Sequence, residues 1–151
     1  MNDIRLRALE GLPEIPVGDD LAARLAVLVP AGPGILVVAQ KIVSKAEGRL
    51  VRLSEITPSP RALELARELG KDPQHTELVL RESKRVVRTA PGVLITETKH
   101  GLICANSGVD LSNAPGDDIA VLLPLDPDAS AERIRAALGP GRAVSRSPRR
   151  R

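Results

Sequence analysis

The order of apolar and polar positions along the chain predicts a mixture of helices and strands. Four stretches start with a capping Asp or Ser and then carry apolar residues at helical spacing, at about 20–29, 60–70, 72–83 and 128–138. Short runs rich in Val, Ile and Thr predict strands at 35–39, 86–89, 93–98, 102–105 and 118–123, with 49–53 extending the first of them. Because helices and strands do not alternate strictly, we expect an α+β or irregular α/β fold, a mixed sheet with flanking helices.

The stretch from Ile35 to Arg49 is the strongest local signal for a binding site. Its apolar start, 35–39, is typical of a buried strand, and Lys41 and Lys45 then follow beside a serine. A strand that carries lysines to its end is a common way to bind an anion such as a nucleotide phosphate. The spacing is neither that of a P-loop nor G-x-G-x-x-G, and a strand with solvated lysines at its exit explains the local pattern equally well.

Composition narrows the class of protein. The 151 residues contain no Phe, Tyr or Trp, so the core has to be aliphatic, and the length fits one domain or part of one. The net charge of +3 comes from five arginines in 142–151, because the rest of the chain has 17 basic and 19 acidic residues. A generally basic nucleic-acid-binding surface is therefore not indicated. We expect a cytoplasmic protein, since the pattern shows neither a membrane span nor a signal peptide and Cys104 has no second cysteine to pair with.

A second polar patch follows the apolar run 102–105. Its polar and flexible residues are Asn106, Gly108, Asp110, Ser112 and Asn113. Asp110 could bind a magnesium- or manganese-type cation through its hard oxygens, with Asn113 reaching a nucleotide. A turn rich in Asn, Asp and Gly, with structural hydrogen bonds alone, explains the same residues.

The two patches belong to a longer series of seven segments in a fixed order. The segments are Gly11-Leu-Pro-Glu-Ile15 with Gly18-Asp-Asp20, Gln40-Lys-Ile-Val-Ser-Lys-Ala-Glu-Gly-Arg49, Pro58-Ser59, Glu77-Leu-Val-Leu80 with Glu82-Ser83, His100-Gly101, Ala105-Asn-Ser-Gly-Val-Asp-Leu-Ser-Asn113 and Leu122-Leu-Pro-Leu-Asp-Pro-Asp-Ala-Ser130. Each segment alone would be a weak signal, but the set is collinear over about residues 4–139. It resembles the γ-glutamyl ligases that add L-glutamate to the deazaflavin coenzyme F420-0.

The resemblance implies a mixed α/β fold particular to that family, an intertwined homodimer, and GTP with a divalent metal, Mg or Mn; it leaves room for a monovalent cation. The implied reaction phosphorylates a carboxylate with GTP, after which the amine of glutamate attacks the acyl phosphate. The resemblance assigns no catalytic residue. It implies nucleotide contacts for Leu12, Pro13, Glu14, Ile15, Gln40, Lys41, Lys45 and Asn113, and metal ligation by Asp110. The family varies at position 41.

The resemblance ends before the chain does. Ligase domains of this family are longer: after the helix matching 131–138 they continue with a strand to a metal-binding Asp-Thr pair and with a second half. Residues 141–144 can begin that strand, but those from Ser145 onward do not match. We therefore divide the chain into an N-terminal part of the ligase domain, 1–141, and a basic non-homologous tail, 142–151. Out-of-frame reading of a GC-rich gene would explain the tail; a genuine tail for an acidic partner is the alternative.

Three functions remain at this stage. The first is ligation of L-glutamate to coenzyme F420-0, with this chain a truncated form that we expect to be inactive alone because metal ligands and packing partners are missing. The second is a non-catalytic nucleotide-binding module, or a half-protein that needs a second chain. The third is a small regulatory protein whose tail binds RNA or lipid, against which the acidic body and the lack of aromatic stacking residues argue. We expect neither nucleic acid nor membrane as a partner.

Overall fold

The computed structural model describes residues 3–112 and 118–147 and contains both helices and strands. The helices are α1 (Leu21–Leu28), α2 (Gln40–Ala46), α3 (Pro60–Leu69), α4 (Pro73–Arg81) and α5 (Pro127–Leu138). The strands are β1 (Gly34–Ala39), β2 (Leu50–Arg52), β3 (Ser83–Ala90), β4 (Val93–Thr98), β5 (Ile103–Ala105), β6 (Ile119–Val121) and β7 (Arg142–Ser147). Single 3-10 turns form at Leu53–Glu55 and Asn106–Gly108. The predicted α+β or irregular α/β class is confirmed. Among the described helices, none is long and apolar enough to cross a membrane.

The chain divides into two compact units. The first comprises the described residues of Met1–Gly48 and Pro124–Arg151, and the second is Arg49–Leu123. In the first unit β1 pairs in parallel with β7. In the second, β2 pairs with β6, and β3, β4 and β5 form an antiparallel sheet. Parallel and antiparallel pairs both occur, but the described strands form three small sheets and not the single mixed sheet that was predicted. Strand β7 lies in the segment 142–151 that was predicted to be a non-homologous tail.

Local capping determines where most of the helices begin. The side chains of Asp20, Ser59, Asp72 and Asp126 accept hydrogen bonds from backbone N–H groups of the first turn of α1, α3, α4 and α5. Three of these helices have proline at their start, where its missing N–H costs nothing. Helix α3 ends at Gly70, whose φ of 64° is the left-handed conformation that glycine tolerates. The predicted starts of these helices are confirmed.

Of two predictions about the stretch 35–53, one is confirmed and one is wrong. Lys41 and Lys45 follow directly after strand β1, as predicted, although they lie on a helix that was not predicted, because Gln40–Ala46 is α2. Residues 49–53 do not extend β1, because Leu50–Arg52 forms a separate strand, β2, in the second unit. Helix α2 was missed because the residue before it is Ala39, whose side chain makes no capping hydrogen bond, so the usual start signal is absent.

The prediction that β1 is buried is wrong for one of its two faces. Leu36 and Val38 pack into the core of the first unit. Ile35 and Val37 alternate with them and are 71% and 59% exposed. Side chains of a strand alternate between its faces, so one face is covered within the described residues and the other is not.

Each unit has its own small aliphatic core. The fully buried members in the first unit are Ile15, Leu21, Leu25, Val38, Val43, Ile134 and Leu138. Those in the second are Leu65, Leu69, Leu78, Val79, Leu94, Val109, Ala120 and Leu122. The spacing of apolar residues predicts Ala62, Leu63, Ala66 and Leu69 as the buried stripe of α3, and one of the four is wrong: Leu63 is 45% exposed, and Leu65 is buried in its place. Burying each Val, Leu or Ile stabilises the fold by about 1.5–3 kcal/mol before entropy is counted.

Helix α4 carries two buried titratable side chains. Glu77 accepts hydrogen bonds from the backbone N–H and the hydroxyl of Ser59, at 3.0 and 2.6 Å. These bonds lower the pKa of Glu77, and they link the start of α3 to the middle of α4. His75 is 7% exposed, and its Nε2 has no hydrogen-bond partner among the described residues. Burial, with the nearby charge of Lys71, lowers the pKa of His75.

The neutral, buried state of His75 predicts a loss of stability in weak acid. Because its folded pKa is lowered, this contribution is complete above the ordinary value of about 6.5 and is lost as pH falls below it. We expect the melting temperature to fall between pH 7.5 and 5.5, and to fall less in His75→Gln. Protonation of the Glu77 carboxylate, whose pKa is also lowered, should further reduce the stability of the fold, but only at more acid pH.

The second histidine provides a matched control for this experiment. His100 is only half-buried, and His100→Gln should retain the pH dependence of the unmodified protein. Thermal melts by circular dichroism at a series of pH values make the comparison. If the melting temperature of His75→Gln fell with pH as steeply as that of the unmodified protein, His75 would not be the source of the pH dependence.

Candidate functional site

In the first unit, an ion pair joins the loop before α1 to helix α2. The Lys45 ammonium donates to a carboxylate oxygen of Glu14. Lys45 is 7% exposed, whereas the side chain of Glu14 is 79% exposed. Ile15 holds the loop in place, since its side chain is buried in the core of this unit. Two predicted nucleotide contacts 31 positions apart in sequence are thus brought together.

Backbone and side-chain hydrogen bonds fix α2 around this ion pair. The amide of Gln40 donates to the hydroxyl of the fully buried Ser44 at 2.7 Å. At the other end, the backbone N–H of Gly18 donates to the carbonyl of Ala46 at 2.8 Å. Lys41 lies four residues before Lys45, so the two cations project from the same side of the helix. Helix α2 therefore offers two cations beside an ordered loop.

The end of α2 is also joined to α5. Glu47, the residue after α2, accepts hydrogen bonds from the Ser130 hydroxyl and, at 2.6 Å, from the Arg133 guanidinium. Ser130 is buried within the first turn of α5 and donates as well to the carbonyl of Asp126. These contacts hold α2, which carries Lys45, against α5.

Asp110 lies in the second unit and is 7% exposed. Its backbone pairs with Val121 through two hydrogen bonds of 2.8 and 2.9 Å. Its Oδ1 accepts from the backbone N–H and the hydroxyl of Ser112, at 2.9 and 2.8 Å. This is the Asx turn that was the structural alternative for the patch, and it orients the carboxylate.

A tight turn immediately before Asp110 keeps three consecutive residues at positive φ. Asn106, Ser107 and Gly108 have φ of 51°, 50° and 71°. Ser107 is 1% exposed, and its hydroxyl and backbone N–H both bond to the hydroxyl of Thr96, at 2.7 and 2.9 Å. Left-handed backbone costs of order 1–3 kcal/mol per non-glycine residue and clusters at functional sites. The buried pair of hydroxyls stabilises this conformation.

Cys104 does not form a reactive centre in this region. Its side chain is half-buried, and burial raises the pKa of its thiol, with a hydrogen bond from the Gly108 backbone opposing the shift. A thiol with a raised pKa carries little of the nucleophilic thiolate near neutral pH.

The structure places the other predicted site residues as follows. Leu12 packs against the first-unit core, and Pro13 is exposed in the same loop. Asn113, the predicted second nucleotide contact of the polar patch, lies outside the described residues. Within 3–112 and 118–147, His, Cys, Asp and Glu nowhere form a group of three that could hold a metal ion. One carboxylate does not complete a divalent-metal site, so metal ligation by Asp110 stays a prediction.

Sequence reasoning missed several residues that shape these sites. Ser44 and Glu47 were quoted as parts of a matching segment without a role, and the structure shows that they fix α2. Thr96, which holds the strained turn, lies between Leu94 and Thr98 on the buried face of β4 and is 0% exposed. A polar residue on the inner face of a strand is the sequence signal that could have found it.

The comparisons agree with the segments found in the sequence. The family model described as F420-0:Gamma-glutamyl ligase matches residues 11–143. This chain belongs to the F420-0:γ-glutamyl ligase family. The match includes the Glu14–Lys45 loop and helix, the Asn106–Gly108 turn and Asp110.

Three relatives show how far the family likeness extends. The coenzyme F420:L-glutamate ligase of Methanothermobacter thermautotrophicus is 43% identical over 89% of this chain and 56% of its own length. Ligases of the same name from Methanopyrus kandleri and Natronomonas pharaonis are 48% and 47% identical, over 80% and 87% of this chain and 48% and 54% of their own lengths. The chain thus spans about half the length of these relatives. Its division near residue 141 stays a prediction.

The packing of the strained turn can be tested by comparing two glycines that have nearly equal φ. Gly108 and Gly92 have φ of 71° and 72°. A Cβ on Gly108 would lie 2.8 Å from the Leu123 side chain, whereas one on Gly92 would meet nothing within 4 Å. Both alanine variants lose about 1–2 kcal/mol to the left-handed backbone. Gly108→Ala should lose about 1–3 kcal/mol more, from overpacking.

Urea unfolding of both variants measures the difference. Both variants carry the same cost of placing alanine in a left-handed backbone conformation. The additional loss of unfolding free energy in Gly108→Ala therefore reports the packing of the turn against Leu123. Equal losses in the two variants would show that this contact does not constrain the turn.

Proposed function

We propose that this chain supplies the nucleotide-binding half of a GTP-dependent ligase that joins L-glutamate to coenzyme F420-0 through a γ-linked amide. The observation that supports the proposal most directly is the buried Lys45, held by Glu14 beside the family-matched loop. A lysine ordered in advance is a suitable point charge for a phosphate. The other proposed nucleotide contacts, Leu12 to Ile15, Gln40 and Lys41, belong to the same loop and helix.

The proposed chemistry needs positive charge at each stage. GTP transfers its terminal phosphoryl group to a carboxylate and leaves as GDP. The glutamate amine then attacks the acyl carbon, the amide bond forms, and phosphate leaves with the bonding electrons while the amine loses a proton. Negative charge accumulates on phosphoryl oxygens in both steps, and lysines with a divalent cation would neutralise it.

We propose Asp110 as one ligand of that cation, Mg or Mn, and Asn113 as a nucleotide contact. The buried carboxylate of Asp110 is oriented by Ser112 at 2.8–2.9 Å, which suits a ligand of a hard cation. Further ligands would come from the part of the family domain that lies outside the matched residues. In the cell we expect a cytoplasmic protein, and a homodimer once the domain is complete.

A nucleotide-binding half-protein that works with a second chain is the second candidate. The chain matches 48–56% of the three relatives. The two candidates predict the same nucleotide site but differ in whether this chain alone ligates glutamate. We expect no ligation by the chain alone, and glutamate added to coenzyme F420-0 by the purified chain would overturn that expectation.

Thermal melts with and without GTP plus Mn²⁺ test the nucleotide site itself. A ligand that binds only the folded state stabilises it by about 2.7 kcal/mol at 100 times its Kd, so the melting temperature should rise. The rise should vanish in Lys45→Met, which keeps the apolar stem and removes the charge. Lys84→Met, at an exposed position of β3, is the matched control and should retain the rise. A cooperative melt whose midpoint is unchanged by GTP plus Mn²⁺ would contradict the proposed nucleotide site.

A further inference from the structure

The strained turn Asn106–Gly108 carries a buried side-chain oxygen that takes part in no hydrogen bond of the described structure. This oxygen is Oδ1 of the Asn106 carboxamide, and it has no partner among residues 3–112 and 118–147. Buried side-chain oxygens are nearly always paired with a donor or a cation, and an unpaired one requires an explanation. The side chain of Asn106 therefore has the environment of a ligand-binding group.

The backbone of the turn gives this oxygen a fixed place. Asn106 and Ser107 have φ of 51° and 50°, a conformation that residues with a side chain rarely adopt. Ser107 is held there by hydrogen bonds to the fully buried Thr96. Because Asn106 is the residue before Ser107, the same bonds keep Asn106 in a conformation that the free chain would leave.

The same turn leads directly to Asp110. The backbone N–H of Val109 donates to the carbonyl of Asn106 at 2.8 Å and closes the turn, so Asn106 lies beside the residue that precedes Asp110. Asp110 is buried, and Ser112 orients its carboxylate through Oδ1. Carboxylate and carboxamide oxygens are side-chain ligands that hard divalent cations take. One short, packed segment thus provides two oxygen ligands of this kind.

We propose that Asn106 is a second ligand of the divalent cation proposed at Asp110, which it binds through its carboxamide oxygen. The inference rests on the proposed function, because it adds a residue to the metal site proposed there. A cation satisfies a buried amide oxygen without a hydrogen-bond donor from the protein. One carboxylate and one neutral amide should hold the cation weakly, with a Kd of about 10⁻⁴–10⁻³ M, since Kd rises as charged ligands become fewer.

Manganese binding by the purified 151-residue chain, without nucleotide, tests the inference. The electron paramagnetic resonance signal of free Mn²⁺ falls when the ion binds, so a titration gives the Kd. Asn106→Gly removes the oxygen and should raise the Kd at least about tenfold. Asn106→Asp keeps an oxygen at the same position and should bind Mn²⁺ at least as tightly as the unmodified chain. Asp110→Asn removes the charged ligand and should also weaken binding.

Thermal melts of the glycine variant distinguish a metal ligand from a residue with a structural role alone. Glycine adopts a φ near 51° without strain, and Asn106→Gly leaves no unpaired buried oxygen. Without metal, this variant should therefore melt at the same temperature as the unmodified chain or higher, measured by circular dichroism. Weaker Mn²⁺ binding in a variant that is no less stable does not come from a disturbed fold. If Asn106→Gly melts lower, the retained binding of Asn106→Asp decides.

Several results would overturn the inference. Asn106→Gly could bind Mn²⁺ normally while Asp110→Asn does not, which would leave Asp110 in its proposed role without Asn106. A folded Asn106→Asp could bind no better than Asn106→Gly. Asn106→Gly could keep Mn²⁺ and lose only the rise in melting temperature with GTP, which would make Asn106 a nucleotide contact. The unmodified chain could bind no Mn²⁺ at millimolar concentrations, which would reject the cation at Asp110 as well.

Failure of the proposed nucleotide site gives a different result. The Mn²⁺ titration contains no GTP, so it is independent of that site. Mn²⁺ binding that Asn106→Gly weakens and Asn106→Asp retains would support the pair of ligands, even if the melting temperature of the unmodified chain did not respond to GTP.

Discussion

The burial of aliphatic side chains in two small cores is the constraint on which the rest of the structure depends. With no Phe, Tyr or Trp in the sequence, the two hydrophobic cores are built from Leu, Ile, Val and Ala, which bury less area per residue than Phe or Trp. Each core therefore covers one side of a few elements. In the first unit that side includes Leu36 and Val38 of β1, and the opposite side of the same strand is left to solvent.

The candidate site depends on this packing through α2. The helix buries Val43 in the first-unit core, which fixes the rotation of the helix and directs the neighbouring Lys45 toward Glu14. Hydrogen bonds from Gly18 to the end of the helix, and from α5 to Glu47, prevent this end from fraying. Because the site residues lie on a short helix with no side-chain cap at its start, these tertiary contacts, more than helix propensity, determine their positions.

Sequence reasoning succeeded where the determinants are local and failed where they are not. The capping residues Ser59, Asp72 and Asp126 each act within three positions, so the starts of α3, α4 and α5 could be predicted. The start of α2 lacks such a residue. The exposure of Ile35 and Val37 depends on which other segments cover β1, and no short pattern contains that information. Lys45 was found by its local pattern and Glu14 only through the order of the family segments, and the ion pair between them could not be predicted because its partners are 31 positions apart.

The exposure of the two partners explains how the Glu14–Lys45 ion pair could both order the lysine and release it to a nucleotide. Glu14 is 79% exposed, so the pair is screened by water and contributes only about 0–1 kcal/mol. A desolvated phosphate oxygen accepting from the same ammonium would make a charge-assisted bond of about 1.5–3 kcal/mol. At the proposed nucleotide site, exchanging the carboxylate for a phosphate would therefore be favourable, and Glu14, already hydrated, would lose little when displaced. A lysine paired with a buried carboxylate could not be released at comparable cost.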